Sequence, residues 1–361
     1  MEDDKNNINP MTDDAQGNLL QVSGEISELI SASSNHDMDL EQRLDAFEDI
    51  IASEVGDTVL LRARNIEREV GLRQIYLKFE GGNPSGTQKD RIAFAQVQDA
   101  LRRRYDTLCF ATCGNYGVAV AFAASLAGLN TCIFVPKTYH IPREAEILKW
   151  GATIIRDGAD YEEAIKISSS YALEKELYDA NPGGINTNLQ LKAYSEIASE
   201  IYDELRDAPA IVAVPVSNGT TITGIYRGFQ QLYRRGKTSR IPKIIAGSSS
   251  YKNPITASFK KGLKSCEDLE PSRIKESLVN EPLINWHSID GTMALDAVYR
   301  SGGWAGDGSD RKMSYYANFI KMNEGLSVLP ASTAGLIALI KYHNKFPLSG
   351  DRFVAVITGR R

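Results

Sequence analysis

Asn83-Pro84-Ser85-Gly86-Thr87-Gln88-Lys89-Asp90-Arg91 follows the apolar run Gln74–Phe79 and the glycine pair Gly81 and Gly82. A turn-rich loop, Gly81 to Gly86, thus delivers Lys89 to the start of a helical stretch. The positive end of a helix dipole disfavours a cation at that position. The placement depresses the amine pKa and favours the neutral form that a Schiff-base lysine needs. The plain alternative is a solvated surface lysine. The loop is not a Walker A motif, because no glycine immediately precedes Lys89.

Outward from this segment, short apolar runs alternate with helical text. The strand candidates are Gln74–Phe79, Thr107–Ala111, Asn130–Val135, Thr153–Arg156, Ala210–Val216, Lys243–Ser248 and Phe353–Ile357. The helix candidates begin with a stretch from near Asp39 to Ser53. They continue with Lys89–Arg104, Tyr116–Leu126, Pro142–Trp150, Tyr161–Lys175, Leu189–Arg206, Thr221–Arg235, Gly291–Arg300, Arg311–Glu324 and Ala331–Asn344. Continuous Val/Ile-rich runs mark strands buried on both faces, and their alternation with helices predicts an α/β fold with parallel sheet. No internal repeat or low-complexity linker is present, so two lobes must be interleaved along the chain.

Three further segments carry polar chemistry at strand ends. Thr112-Cys113-Gly114-Asn115-Tyr116-Gly117 joins a strand to an Ala-rich helix. Amides at such a helix start form an anion site, for which a carboxylate is the natural guest; a simple strand–helix turn reads equally well. Ser217-Asn218-Gly219-Thr220-Thr221 follows the strand Ala210–Val216 and opens another helix. Its amides, hydroxyls and helix dipole make a phosphate cradle without a formal cation. Thr358, behind Phe353–Ile357, places a hydroxyl at the carboxyl end of a buried strand, where open α/β sheets bind ligands. Ser248 to Ser250 follow another strand end and read equally as substrate contacts or as a plain loop.

Composition narrows the class. The 361 residues carry 41 basic and 46 acidic side chains, a net charge of −5, with 42% hydrophobic residues. These values exclude disordered, collagenous and disulfide-scaffold proteins, and the length suits two domains or one bilobal one. Residues 1–50 hold thirteen acids and two bases, a balance of −11, which leaves the other 311 residues at +6. That asymmetry marks an acidic tail, and no nucleic-acid partner is expected. No apolar run approaches the roughly 20 residues that span a bilayer, and Met1-Glu2-Asp3-Asp4 lacks a signal-peptide core. Cys109, Cys113, Cys132 and Cys266 show no metal-type spacing. A reduced, cytoplasmic protein without a membrane or metal site is the expectation.

Taken together and in order, the four segments resemble the fold-type-II pyridoxal-phosphate enzymes: threonine synthase, cysteine synthase, cystathionine β-synthase and the serine/threonine dehydratases. The resemblance covers about residues 57–361. The text from Asn83 to Arg91 is similar to that family's N-P-(T/S)-G-S-x-K-D-R. The resemblance implies that Lys89 carries the internal aldimine of pyridoxal 5′-phosphate. It implies that Asn115 bonds the ring O3′ and that the loop Thr112, Cys113, Gly114, Asn115 and Tyr116 meets the substrate. Ser217, Asn218, Gly219, Thr220 and Thr221 look like the phosphate loop, and Thr358 like the residue whose hydroxyl meets the pyridine nitrogen.

The implied fold is tryptophan synthase β-like, with two open parallel-sheet lobes and the cofactor in the cleft between them. The implied organisation is an acidic flexible extension over 1–36, a large cofactor-binding domain over 37–90 and 200–361, and a smaller substrate-loop domain over 91–199. A homodimer acting on a small amino-acid substrate is also implied. Gly325 to Ala334, containing Pro330-Ala331-Ser332, is similar to threonine synthase text. Lys89-Asp90-Arg91-Ile92-Ala93 and Gly219 to Gly224 look more like cysteine synthases. Cys113 stands in place of the usual Ser, Leu329 of a Glu, and Val59 of a Pro. Cys113 reads either as a small packing residue or as a low-pKa thiol.

The expected reaction is elimination or replacement at an O-substituted amino acid with a β- or γ-leaving group, through an aminoacrylate-type intermediate. Threonine-synthase-like chemistry leads; cysteine-synthase-like β-replacement and a serine/threonine dehydratase are the alternatives. The chain stops at Arg361, without a regulatory domain after Thr358, which weighs against allosteric dehydratases. A non-catalytic binding protein on the same fold is the reading from another class.

Overall fold

The computed structural model describes residues 24–112, 114–139 and 142–361. The chain divides into two compact units, one of Met1–Val55 with Val97–Asp179, the other of Gly56–Gln96 with Ala180–Arg361. Ten strands form among the described residues: β1 (Leu60–Arg62), β2 (Ile75–Phe79), β3 (Thr107–Ala111), β4 (Asn130–Val135), β5 (Thr153–Arg156), β6 (Tyr178–Asp179), β7 (Ile211–Pro215), β8 (Lys243–Ser249), β9 (Trp304–Gly308) and β10 (Phe353–Ile357).

In the larger unit six strands form one sheet in the order β1-β2-β10-β7-β8-β9. All neighbours are parallel except β1, which runs antiparallel to β2 with Leu60 opposite Lys78. β10, last in the chain, lies between β2 and β7, with Phe353 opposite both Ile75 and Ile211. Its five residues are all buried, as their unbroken apolar text requires. Parallel registration brings the carboxyl ends of β2, β10 and β7 side by side. Those ends lead into residues 80–91, 358–361 and 216–221, so three of the four polar segments emerge at one edge of one sheet.

The core of this unit joins Ile211, Ala213, Ile245, Phe353, Ala355 and Ile357 to Leu336 and Leu339 of the helix Ala334–Lys345. That helix approaches very closely: a Cβ on Gly247 would lie 2.1 Å from the Ala334 carbonyl oxygen. Shortening any of these core isoleucines by a methylene costs about 1 kcal/mol.

The smaller unit carries an all-parallel sheet in the order β5-β4-β3-β6. The helix Asn115–Leu126 is buried from Tyr116 to Ala124 and at Leu126. Its alanines leave no polar face, which suits a helix enclosed on every side.

The structure departs from the sequence expectation in several places, among them the strands β1 and β6 and the helices Arg64–Val70 and Pro254–Lys260, which were not expected. The stretch expected as a flexible extension over 1–36 contains a helix, Gly24–Ser34. Ser33 is buried and donates to the Leu126 carbonyl at 2.6 Å, while Arg43 donates to the Ser33 and Ala127 carbonyls at 3.0 and 2.8 Å. Residues 1–23 lie outside the described residues. The helix expected to reach Arg104 ends at Arg102, and Arg104 itself has φ 63°. Strand β9 was not legible, because Trp304-Ala305-Gly306-Asp307-Gly308 is poor in strand-forming residues. Its pairing with β8 imposes the conformation, with Ile245 opposite Trp304. No described helix is long and apolar enough to cross a membrane.

Candidate active site

Lys89 opens the helix Lys89–Arg102, and its N–H donates to Thr87 Oγ1 at 3.2 Å. The N–H of Gln88 donates to the Thr358 carbonyl at 3.0 Å, and Thr87 bridges to Gly359. Lysine and C-terminal hydroxyl are therefore tied to one stretch of backbone. Burial of the Lys89 amine lowers its pKa to about 8, against the Asp290 carboxylate, which raises it. The direction is the one the helix start implies, but the main cause is desolvation.

The segment 217–221 is a cradle of amides. The Ser217 carbonyl accepts from Asn253 Nδ2 and Ser288 Oγ, both at 3.0 Å. The Asn218 carbonyl accepts the Asp290 N–H at 2.9 Å, and the Gly219 carbonyl accepts the Thr223 hydroxyl at 2.7 Å. Asn285 Nδ2 donates to Asn218 Oδ1 at 2.9 Å. With its carbonyls held by the scaffold, the loop opens the helix Thr220–Arg234, whose first turn has no side-chain cap. Uncapped amides at the positive end of a dipole are an anion site. Gly219 is required twice: its φ is 95°, and a Cβ there would lie 2.8 Å from Ala294 Cβ.

Asp290, only 3% exposed, links the two features. The Thr220 hydroxyl donates to its Oδ2 at 2.6 Å. Burial raises the Asp290 pKa, opposed by Thr220, Arg227 and Lys89. Thr358 Oγ1 lies 3.3 Å from Ser332 Oγ, which in turn donates to the Gly359 carbonyl at 3.2 Å.

A buried ion cluster anchors the loop that carries Lys89. Arg91 bonds Glu80 through Nε at 2.6 Å and Glu200 through Nη1 at 2.7 Å. Lys78, fully buried, contacts Glu200 at 2.5 Å, and the Thr58 hydroxyl donates to Glu80 at 2.7 Å. Two cations thus face two carboxylates. Burial pushes the Glu200 pKa up, but Arg91 and Lys78 outweigh it and hold the group at about 2.

In the smaller unit, Thr112 Oγ1 accepts the N–H groups of Gly114 and Gly117 at 3.2 and 3.0 Å. Asn115 Oδ1 accepts from Arg143 Nη1 at 2.9 Å. The Tyr116 ring is buried against Phe110, edge on, at 5.2 Å. Cys113 lies outside the described residues. Ser248 turns away from solvent and donates to the Val216 carbonyl at 2.7 Å.

Hydrogen bonds tie the Lys89 loop to Thr358 and the 217–221 segment to Asp290, all within the larger unit, while Thr112, Gly114, Asn115 and Tyr116 belong to the smaller one. Sequence reasoning missed Asp290 and Arg143. The only signal for Asp290 was an acid immediately before the helix Gly291–Arg300. Arg143 carried none, because the Asn115 side chain it holds lies 28 residues away.

The family model described as "Pyridoxal-phosphate dependent enzyme" matches residues 51–359. The chain belongs to that family and is a pyridoxal 5′-phosphate-dependent enzyme of tryptophan synthase β-like fold. It is 29% identical to the threonine synthase of Methanocaldococcus jannaschii over 307 residues, covering 84% of this chain and 74% of the relative. The threonine synthase of Methanosarcina acetivorans is 28% identical over 305 residues, with the same coverage. Among solved structures, the processed form of threonine deaminase isoform 2 from Solanum lycopersicum superposes with a TM-score of 0.71. It is 17% identical and covers 90% of this chain and 91% of that one. Maize serine racemase gives the same TM-score and identity, over 88% of this chain and 93% of that one.

The residues present fit the cofactor. The uncapped amides at the start of the helix Thr220–Arg234 suit its phosphate, and the Lys89 amine, its pKa lowered by burial, suits its aldehyde.

Proposed function

We propose that the protein is a threonine-synthase-like enzyme that eliminates the leaving group of an O-substituted amino acid and replaces it with a nucleophile. In this reading Lys89 would hold the cofactor through its amine and, once free of it, would move the substrate's α-proton. A base already within reach gains most from proximity. When bound, the cofactor supplies an electron sink for the developing charge at the α-carbon.

The amides and hydroxyls of Ser217, Asn218, Gly219, Thr220 and Thr221 hold the phosphate. Thr358 offers the ring nitrogen a neutral hydroxyl, a weaker partner than a carboxylate. The amides from Thr112 through Asn115, with Cys113 and Tyr116, take the substrate carboxylate. Arg143 holds the Asn115 carbonyl oxygen, which leaves the amide nitrogen as the donor toward the ring O3′. The observation that carries the reading is the Thr220–Asp290 hydrogen bond of 2.6 Å at an uncapped helix start, with the Asp290 charge acting on the buried Lys89 amine. It couples a desolvated amine to an uncapped helix start. The threonine synthases at 28–29% identity favour the γ-leaving-group branch.

The test is titration of the holoenzyme with O-phosphohomoserine, O-acetylserine, O-phosphoserine, serine and threonine, with absorption and product analysis. Threonine and inorganic phosphate from O-phosphohomoserine are the expected products. Turnover of O-acetylserine alone, with a thiol, would move the assignment to β-replacement. Ammonia and a 2-oxo acid from serine or threonine would make it a dehydratase. Bound cofactor without turnover of any of the five would make it a binding protein. We also infer a homodimer; a sedimentation mass near 39.7 kDa would refute it.

A further inference from the structure

We propose that Asp290 is the proton-holding residue of the phosphate cradle: it is ionised in the free enzyme and takes up a proton when a phosphoryl dianion binds, which hands the Thr220 hydroxyl to that dianion. The inference rests on reading 217–221 as the cofactor's phosphate site.

Thr220 has a single O–H. In the structure it is spent on Asp290 Oδ2 at 2.6 Å, inside a region where Asp290 is 3% and Thr220 7% exposed. Toward the start of the helix Thr220–Arg234 the hydroxyl then presents lone pairs, and a phosphate oxygen brings only more of the same. The ionised carboxylate behind it would also repel the dianion across a hydroxyl's width, with little water to screen the repulsion. One proton removes both conflicts. It is taken from solvent onto a carboxylate oxygen of Asp290, which then donates to Thr220 Oγ1. The Thr220 O–H rotates toward the phosphate, and no other bond is made or broken.

The charged groups acting on Asp290 are Lys89 and Arg227, and both favour its ionised form. Arg227 is drawn partly elsewhere, toward Asn188 Oδ1 at 3.2 Å and Met293 Sδ at 3.7 Å. Burial works the other way and already favours the neutral acid. The backbone of Asp290 is fixed meanwhile, because its N–H holds the Asn218 carbonyl. The side chain can therefore change protonation without releasing the loop.

The experiment uses the full-length chain stripped of cofactor and titrated with inorganic phosphate and with pyridoxal 5′-phosphate. It is run at about pH 8, where phosphate monoesters are dianions. Calorimetry in two buffers of different ionisation enthalpy reads the protons taken up. For inorganic phosphate, which makes no bond to Lys89, wild type is expected to absorb about one proton per phosphate bound, so its affinity falls about tenfold per pH unit around pH 8. Asp290→Asn, whose amide donates to Thr220 permanently, is expected to bind both probes, with uptake near zero for inorganic phosphate.

Phosphorus NMR of the wild-type holoenzyme is expected to show a dianion whose resonance does not move between about pH 6 and 9. This readout needs no variant. Undiminished proton uptake in Asp290→Asn, or a monoanion resonance in wild type, would overturn the inference. Unchanged affinity for both probes in Gly219→Val would instead remove the cradle reading on which it rests.

Discussion

Arg91 grips Glu200 through two nitrogen–oxygen contacts of 2.7 and 2.8 Å, while its other edge holds Glu80 at 2.6 and 3.0 Å. One guanidinium therefore joins the end of β2, the start of the Lys89 helix and the helix Thr187–Leu205. Arg91 lies two residues after Lys89, so the fork fixes the backbone from which the buried Lys89 amine extends. Removing one member of such a buried cluster strands charge that has no route to water.

Arg91→Met is expected to destabilise the fold by about 3–5 kcal/mol, because Glu80 and Glu200 lose their shared partner. Urea unfolding midpoints measure this. A shift below about 1 kcal/mol would mean that the cluster relaxes toward solvent.

The acid limb of the stability curve should report Glu200. Its pKa of about 2 lies below the unfolded value near 4.5, so its contribution is fully present above pH 4.5. That contribution is lost as pH falls toward 2. Glu200→Gln is expected to lower stability at pH 7 and to flatten the decline between about pH 5 and 2.

Cofactor incorporation into the stripped enzyme should accelerate with rising pH through about 8, because the deprotonated Lys89 amine is the reactive form. Asp290→Asn is expected to shift this midpoint downward, since Asp290 raises the Lys89 pKa. Lys89→Ala should lose its cofactor on dialysis and its turnover with it. Turnover persisting in Lys89→Ala with bound cofactor would sink the assignment.

Gly219→Ala combines a positive φ with a Cβ 2.9 Å from the Asp290 carbonyl oxygen. The expected cost is about 1–3 kcal/mol of stability, with a weaker hold on cofactor measured by equilibrium dialysis. Gly236→Ala is the control: its φ is also positive, but nothing lies within 4 Å of the added Cβ.

Arg143→Ala should raise KM for the amino acid by about tenfold, the effect of losing one charge-assisted bond to Asn115. Circular dichroism should be unchanged, because Arg143 lies in a loop and its Glu146 partner is half exposed.

Arg43 tests the docking of the N-terminal helix. Arg43→Ala leaves the Ser33 and Ala127 carbonyls without their guanidinium donor, at an expected cost of about 1–3 kcal/mol. Faster proteolysis within residues 24–36 is the accompanying observation.

The legibility of the sequence followed the locality of the physics. β7, β10 and the core strands of the smaller unit were readable because burial on both faces demands unbroken apolar text. The Lys89 loop and the 217–221 cradle were readable because turn residues before a helix start are a local pattern. The helix Gly24–Ser34 was missed because its surroundings are polar, and its order depends on Leu126 and Ala127, more than 80 residues on. β9 was missed because a glycine-rich strand has no signature apart from its neighbour β8.

The sequence by itself determined the α/β class and the cofactor family, since each rests on short runs of residues whose chemistry is complete in place. Only the tertiary structure decided that the last strand enters between β2 and β7, which brings three distant loops to one sheet edge. It alone joined Arg91 to Glu200 across 109 residues and Thr220 to Asp290 across 70. Those pairings are made by burial. A charged or hydroxyl group leaving water must find a partner, and nothing in the local text states which one the fold will supply.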